Sequence, residues 1–402
     1  MGNPFEAPLV NEAVGQRIRN WRSYYEAKLG FRNHWYPTFN SDELLEGKPL
    51  PFELGGEKLL LNRIDGKVFA MKDQCLHRGV PLSKKVETYT KDTITCWYHG
   101  WTYRWSDGLL CDILTDPGSK MIGTRSNKVY PVQEAKGLVF VFLGDIDPPP
   151  LSTDLPPGFT DANRHVRVTR RKVEANWRIG AENGFDTTHI FIHKNSRLIT
   201  GNQTMLPLGF APKPNSDEPL FKIVKNENGQ NGIYDMLAER GVPHFEGKVH
   251  GEVVCRAIHG GDKHIAGEIS LWMPGVLKVD PFPDPAMIHF EWYVPCDENS
   301  HWYIHCATKV IEGPEGDETF GREYEALWKD LYVYGFNDDD IWAREATQPF
   351  YQDDWGWLDE QLFEADACIM AWRTLATETN RGIQTKGRPA STASGKSAAV
   401  ST

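Results

Sequence analysis

Apolar positions along the chain change period twice, and these changes divide it into segments of different predicted structure. Between residues 12 and 29, Ile18, Trp21, Tyr25 and Leu29 recur at helical spacing, and Gly30 follows as a helix stop. From about Trp35 the apolar runs shorten to strand length. KLLLNRIDGKVFAM reads as a hairpin turning at Asp65-Gly66, and Asp107-Gly108 marks a second turn. Leu138 to Leu143 is apolar throughout, which predicts a buried strand. The stretch GDIDPPPLSTDLPPG holds Pro148, Pro149, Pro150, Pro156 and Pro157. Proline at that density suits neither sheet nor helix, so a domain boundary is placed there. Beyond it HVRVTRRKV alternates as a strand does, and ENGFDTTHIFIH is predicted as helix. Several strands, MIHFEWYVP among them, are expected between residues 250 and 310. Helical patterns return from Glu318 to Arg381. The expected organisation is a helical segment over 1–34, a β-rich domain over 35–155, a second domain over 156–385 and a disordered tail over 386–402, which is small and polar. No internal repeat is present.

Composition narrows the class. The 402 residues are 40% hydrophobic and 25% charged, as in soluble globular proteins. No apolar run approaches the roughly 20 residues of a membrane span. The start, MGNPFEAPLV, lacks the basic and apolar regions of a secretion signal, and Glu6 stands where a myristoylation motif needs Ser or Thr. A cytoplasmic protein without membrane contact is expected. The net charge of −11 argues against a nucleic-acid partner. Seven cysteines, odd in number and mostly far apart, do not make a disulfide framework. Cys111, Cys255, Cys296, Cys306 and Cys368 are read as small core residues.

Cys75 and Cys96 differ, because each is followed closely by a histidine. Cys75-Leu76-His77 and, after 18 residues, Cys96-Trp97-Tyr98-His99 offer two thiolates and two imidazoles from two short loops. Such a set can hold a tetrahedral zinc, or two sulfide-bridged irons with the cysteines on one and the histidines on the other. The surroundings favour irons. CLHRGVPLS and CWYHGWTY resemble the ligand loops of Rieske [2Fe–2S] domains along their whole length. Gly79 and Gly100 let main-chain N–H groups turn toward the cluster sulfurs.

A second constellation follows the proline-rich boundary. On the predicted helix, His189 and His193 lie four apart on one face, with Asp186 a turn earlier. Two imidazoles with a distant carboxylate form the facial triad that holds oxygen-activating Fe(II). A bare pair at this spacing is more often ordinary core or surface. His301 and His305 share the spacing but sit in the strand-like HWYIH, and are read as core or surface. The carboxylate is sought in Asn337-Asp338-Asp339-Asp340-Ile341-Trp342. Helix capping and the helix dipole account for two of these aspartates.

Together, the two loops and E-N-x-x-D-x-x-H-x-x-x-H resemble the large subunit of Rieske non-haem iron ring-hydroxylating oxygenases. Within that family, AKLGFRNHWYP, LLNRIDGK, CWYHGWTYRW, DILTDP, YPVQEAKG, PGVLKV, FEWYVP and NDDDIWAREA are similar to terminal oxygenases that attack carbazole. The similarity runs nearly the whole chain, to about Gln384. It implies an α+β fold, a β-rich Rieske domain on a helix-grip catalytic domain, assembled as a homotrimer. The implied cofactors are a [2Fe–2S] Rieske cluster on Cys75, His77, Cys96 and His99, and a mononuclear Fe(II) on His189, His193 and Asp340, with Asp339 as the alternative carboxylate. Asp186 would bridge subunits, hydrogen-bonding His99 of one chain and His189 of the next. The implied partners are a ferredoxin, fed by an NAD(P)H-dependent reductase, and an aromatic substrate with dioxygen. Angular attack on carbazole would give 2′-aminobiphenyl-2,3-diol. Gly184 would accept the ring N–H, with Ile269, Leu277, Phe282 and Phe336 as apolar walls and His289 and Glu291 as a polar edge. The family pattern has glutamine where His289 stands. Arg78, Lys84 and Lys85, near the first loop, form a candidate ferredoxin patch. Two other readings use the same motifs: a Rieske monooxygenase or demethylase, and a non-catalytic Rieske electron carrier.

Overall fold

The computed structural model describes residues 12–202, 204–205, 217–237, 246–256, 263–264, 267–353 and 355–386. The expected tail after Lys386 and the side chain of Cys255 lie outside the described residues. The N-terminal stripe does not form one helix. Short α-helices at Glu12–Arg17 and Arg22–Glu26 flank a 3₁₀ turn at Arg19–Trp21. The stripe is nonetheless buried as its spacing predicts: Ile18, Trp21, Tyr25 and Leu29 all face inward. Ile18, Trp21 and Tyr25 pack in one core with Trp177, Trp357 and Trp372 of the second half of the chain. Tertiary packing rather than helix propensity holds this segment.

The first half is built of short antiparallel sheets. Strands His34–Asn40, Leu138–Leu143 and Val132–Ala135 form one, with all six residues of Leu138–Leu143 buried. Strands Leu50–Leu54, Glu57–Ile64, Lys67–Lys72 and Val129–Tyr130 form another. The hairpin at Asp65-Gly66 has positive φ at both residues, 49° and 75°, the two-residue turn that matches strand twist. A third sheet, Val86–Glu87, Thr93–Cys96, Trp101–Arg104 and Leu110–Ile113, carries the second cysteine loop between its middle strands.

In the second half, seven antiparallel strands run in the order Arg164–Val173, His301–Val310, Met287–Pro295, Val276–Asp280, Glu268–Trp272, Asn231–Asp235 and Phe221–Lys225. Helix Trp177–Phe185 packs against four of them, so the sheet grips a helix. The predicted helical region from Glu318 contains a surprise. After Gly316–Glu323 the chain widens into a π-helix over Tyr324–Tyr334 before helix Asn337–Tyr351 begins. Runs of this kind are rare and concentrate at functional sites. Cys296, Cys306 and Cys368 are buried as expected, whereas Cys111 is only half-buried. His301 and His305 lie inside a strand and are buried, the former held neutral by a pKa lowered to about 3 through burial and the Arg344 charge. No helix among the described residues is long and apolar enough to cross a membrane.

Candidate active site

The first cluster of candidate ligands lies at one end of the β-rich half. Cys75 and Cys96 are buried, while His77 is exposed and His99 half-buried above them. The two Nδ1 atoms face each other at 3.1 Å. Trp101 stacks on His77 at 5.1 Å and 6°, fixing that ring. Gly79 and Gly100 adopt φ of +72° and +68°. Their own N–H groups close the loops on the main-chain carbonyls of Cys75 and Cys96 rather than on sulfur. The N–H groups aimed at the Cys96 sulfur belong to Tyr98 and His99. Tyr103 adds a hydroxyl 3.2 Å from the Cys75 Sγ while accepting the Leu76 N–H at 3.0 Å. Two soft sulfurs below, two imidazole nitrogens above and donors around the sulfurs fit a mixed-ligand [2Fe–2S] cluster. Tyr103→Phe removes one donor to sulfur, worth about 1 kcal/mol, and is expected to lower the cluster's reduction potential by roughly 40 mV in a redox titration.

The second cluster forms where helix Trp177–Phe185 ends. The predicted continuous helix breaks at Asp186, whose ψ of 101° leaves the helical region, and Thr187–Asn195 winds as 3₁₀. His189 and His193 therefore do not stack on one α-helical face. Their rings lie 5.4 Å apart at 83° and converge on Asp340 from two directions. The Asp340 Oδ1 is 3.2 Å from the His189 Nε2 and 3.5 Å from the His193 Nε2. Candidate ligand atoms of all three residues lie within 4.8 Å of one another. The other ring nitrogens are engaged: His189 Nδ1 meets the Asp186 main-chain carbonyl, and His193 Nδ1 meets Asp339 Oδ2 at 3.2 Å. Those partners fix each tautomer and leave the Nε2 lone pairs facing inward. His193 Nε2 and Asp340 Oδ1 are buried and lack a hydrogen-bond partner. Burial opposes charge on Asp340, but His193, His189 and Arg344 outweigh it and hold the carboxyl well below its ordinary range. Buried, orphaned and anionic, this donor set fits a divalent metal.

The three aspartates of the helix start do different work. No side chain caps this helix. Asp338 pairs with Arg171, Asp339 reaches the back of His193, and Asp340 faces both Nε2 atoms. Tertiary partners, not the helix N–H groups, take these three carboxylates. Asp186 does bond His189, as the resemblance implies. It meets His189 through its main-chain carbonyl, while its carboxylate accepts from the Thr188 N–H at 2.8 Å and hydroxyl at 2.6 Å.

Beside the metal-fitting cluster lies a cavity lined by Gly184, Thr187, His189, Ile190, Gly267, Ile269, Leu277, Val279, Phe282, His289, Glu291, Phe336, Asp340 and Arg344. All seven residues expected at the substrate lie on it. Thr187, Ile190, Gly267, Val279 and Arg344 were not anticipated. Arg344 had a readable signal, one helical turn after Asp340; the strand residue Val279 depends on sheet register, two positions after Leu277. Phe336 stacks on His193 at 3.6 Å and 15°. His289 and Glu291 share a strand face, as alternation predicts, and bond each other at 2.5 Å (Nε2 to Oε1). Tyr332 of the π-helix takes the other His289 nitrogen. A Cβ added to Gly184 would lie 1.8 Å from the Tyr293 hydroxyl and 3.1 Å from Leu277. Gly184→Ala should therefore cost about 1–3 kcal/mol in a denaturation titration and shrink the cavity.

Against this geometry stand the matches to known proteins. The family model described as "Rieske [2Fe-2S] domain" matches residues 34–122, and "Homotrimeric ring hydroxylase" matches residues 142–384. The terminal oxygenase component of carbazole 1,9a-dioxygenase from Metapseudomonas resinovorans is 54% identical over 377 residues, 94% of this chain and 98% of that one. This chain belongs to the Rieske ring-hydroxylating oxygenases. It is a Rieske non-haem iron dioxygenase whose family cofactors are the [2Fe–2S] cluster and a mononuclear iron. A solved structure of the reduced complex between oxygenase and ferredoxin in carbazole 1,9a-dioxygenase superposes with a TM-score of 0.90 at 53% identity, covering 94% of this chain and 97% of that one. Demethylases match far less. The vanillate O-demethylase oxygenase subunit of a Pseudomonas strain is 34% identical over 116 residues, only 28% of this chain and 30% of that one. The demethylase reading thus has support over one part of the chain alone.

Proposed function

We propose that this chain is the terminal oxygenase of a three-component system that dioxygenates carbazole and related tricyclic aromatics at the angular position. The observation that carries the reading is an apolar cavity opening directly onto His189 and Asp340, two of the three residues, His193 being the third, whose candidate ligand atoms converge. In this reading those three residues hold the mononuclear iron, and Cys75, His77, Cys96 and His99 hold the cluster. When bound, the cluster would supply electrons and the iron would supply the means of activating dioxygen. Ile269, Leu277, Phe282 and Phe336 hold a flat substrate by its faces and keep water out. Gly184 lies in the last helical turn, where its carbonyl has no helical N–H to accept from. That carbonyl takes the carbazole N–H and turns the angular carbon toward the ligand triad. The dihydroxylated product is an unstable hemiaminal, which opens to 2′-aminobiphenyl-2,3-diol.

A homotrimer places the cluster of one subunit beside the ligand triad of the next, with Asp186 between them. The domain division we propose is 35–155 and 156–385, with the N-terminal segment docked on the latter. Reduction comes from a ferredoxin in the cytoplasm, NAD(P)H feeding its reductase. Arg78 and Lys84 offer it local positive charge; Lys85 already pairs with Glu87 at 2.6 Å. Incubation with carbazole, dioxygen, NADH and matching electron-transfer proteins is expected to yield the aminobiphenyl-diol. Carbazole and dibenzofuran both left intact, with a methoxy-arene demethylated instead, would overturn this reading.

A further inference from the structure

In the polar part of the cavity wall lies a buried charge arrangement that metal binding and substrate packing do not by themselves require. Arg344 is 1% exposed and follows Asp340 by one helical turn. Its NH2 lies 3.5 Å from Glu291 Oε2 and 4.0 Å from Asp340 Oδ1, so two carboxylates share one guanidinium. Its Nε donates to Asn183 Oδ1 at 2.6 Å, and its plane lies 4.3 Å from the Tyr303 ring centroid and 5.1 Å from that of Tyr293. An Asp and an Arg at i and i+4 on a helix attract by default, and burial strengthens the pull. Left alone with Arg344, the Asp340 carboxylate would be drawn along the helix, away from His189 and His193.

Glu291 opposes that pull. It sits on the strand Met287–Pro295, which has a hydrogen-bonded neighbour on either side. Its Oε1 accepts from His289 Nε2 at 2.5 Å, Asn337 Nδ2 at 3.2 Å and the Tyr303 hydroxyl. Its Oε2 accepts from the Tyr293 hydroxyl. A carboxylate held by four donors is immobile, and it is the nearer of the two to Arg344. We propose that Glu291 is a positioning residue: by holding the Arg344 guanidinium it reserves the Asp340 carboxylate for the mononuclear metal. This inference rests on His189, His193 and Asp340 being the ligands. Glu291 itself touches no metal in this scheme. The Glu291–Arg344 pair is neutral as a unit, so its two charges must be kept or removed together.

The test is a charge cycle read by metal affinity. Wild type, Glu291→Gln, Arg344→Gln and the double variant are purified as holoenzymes. Their mononuclear iron is stripped with a chelator under anaerobic conditions, and Fe(II) dissociation constants are measured on reloading. Cluster integrity is followed by its EPR signal. Glu291→Gln is expected to weaken Fe(II) binding on the order of 10–100-fold, the range of outer-sphere changes at metal sites. Adding Arg344→Gln should restore the constant to within about threefold of wild type, a coupling that general loosening of the site does not produce. Wild-type affinity in Glu291→Gln, or a double variant as weak as the single, overturns the proposal. Should Glu291→Gln lack a native cluster signal, Arg344→Gln decides: affinity equal to or above wild type supports the proposal, and a loss of about tenfold or more overturns it. Asp340→Ala in the same assay separates the two levels. Wild-type Fe(II) affinity there would remove the ligand reading itself, whereas loss there without loss in Glu291→Gln removes only the role of Glu291.

Discussion

Asp340→Ala enzyme is expected to keep its Rieske EPR signal, lose its mononuclear iron and fall to background turnover. Among the described residues, Asp340 is the only carboxylate that faces both inward nitrogens, His189 Nε2 at 3.2 Å and His193 Nε2 at 3.5 Å. Without it the site offers two imidazoles, which supply no negative charge, and the positive Arg344, a poor host for a dication. The cluster loops are formed by other strands, so their signal is unaffected. The neighbouring substitution sharpens the result. Asp339 meets the outer nitrogen of His193 at 3.2 Å and is 42% exposed, so Asp339→Asn should weaken iron binding only about 10–100-fold. Metal analysis of the two purified variants checks both statements. Iron retained by Asp340→Ala and lost by Asp339→Asn would exchange their roles.

How far the chain itself announces this site depends on how local each part is. The cluster loops are legible because each contributes a cysteine, a histidine and a glycine within five residues, and the glycines take the positive φ their turns require. The hairpins at Asp65-Gly66 and Asp107-Gly108 are legible for the same reason. Spacing singles out His189 and His193, yet the chain between them is 3₁₀ and not the continuous α-helix that the spacing predicts. Asp186 accepts the Thr188 N–H and ends the helix, a competition between side chain and main chain that periodicity does not register. Choosing among Asp338, Asp339 and Asp340 lies further from reach. Successive residues on a helix point about 100° apart, so their roles follow from how helix Asn337–Tyr351 is rotated against the sheet. That rotation is set by distant packing, such as Asn337 on Glu291 and Arg344 on Asn183. The π-helix at Tyr324–Tyr334 is not legible because its apolar residues satisfy an ordinary helical pattern well enough.

Asp186→Asn is expected to leave both iron centres and the fold in place while slowing substrate-dependent reoxidation of the cluster on the order of 100-fold. The reason lies in which bonds the substitution spares. Asparagine keeps an oxygen at the position that accepts from the Thr188 N–H and hydroxyl, and Asn and Asp cap about equally well. The bond to His189 comes from the main-chain carbonyl and is untouched. Metal content and melting temperature should therefore match wild type. What disappears is the negative charge and the second acceptor oxygen, the features that a link to His99 of the partner subunit requires in the proposed trimer. A free carboxylate oxygen accepts the partner's imidazole N–H and neutralises charge along the route, while the main-chain carbonyl of the same residue holds His189; an amide NH2 there presents a donor to a donor. Single-turnover measurements with the reduced enzyme, substrate and dioxygen read the effect directly. Unchanged reoxidation would confine Asp186 to capping its own loop, and lost iron would mean that its charge supports His189 rather than a contact between subunits.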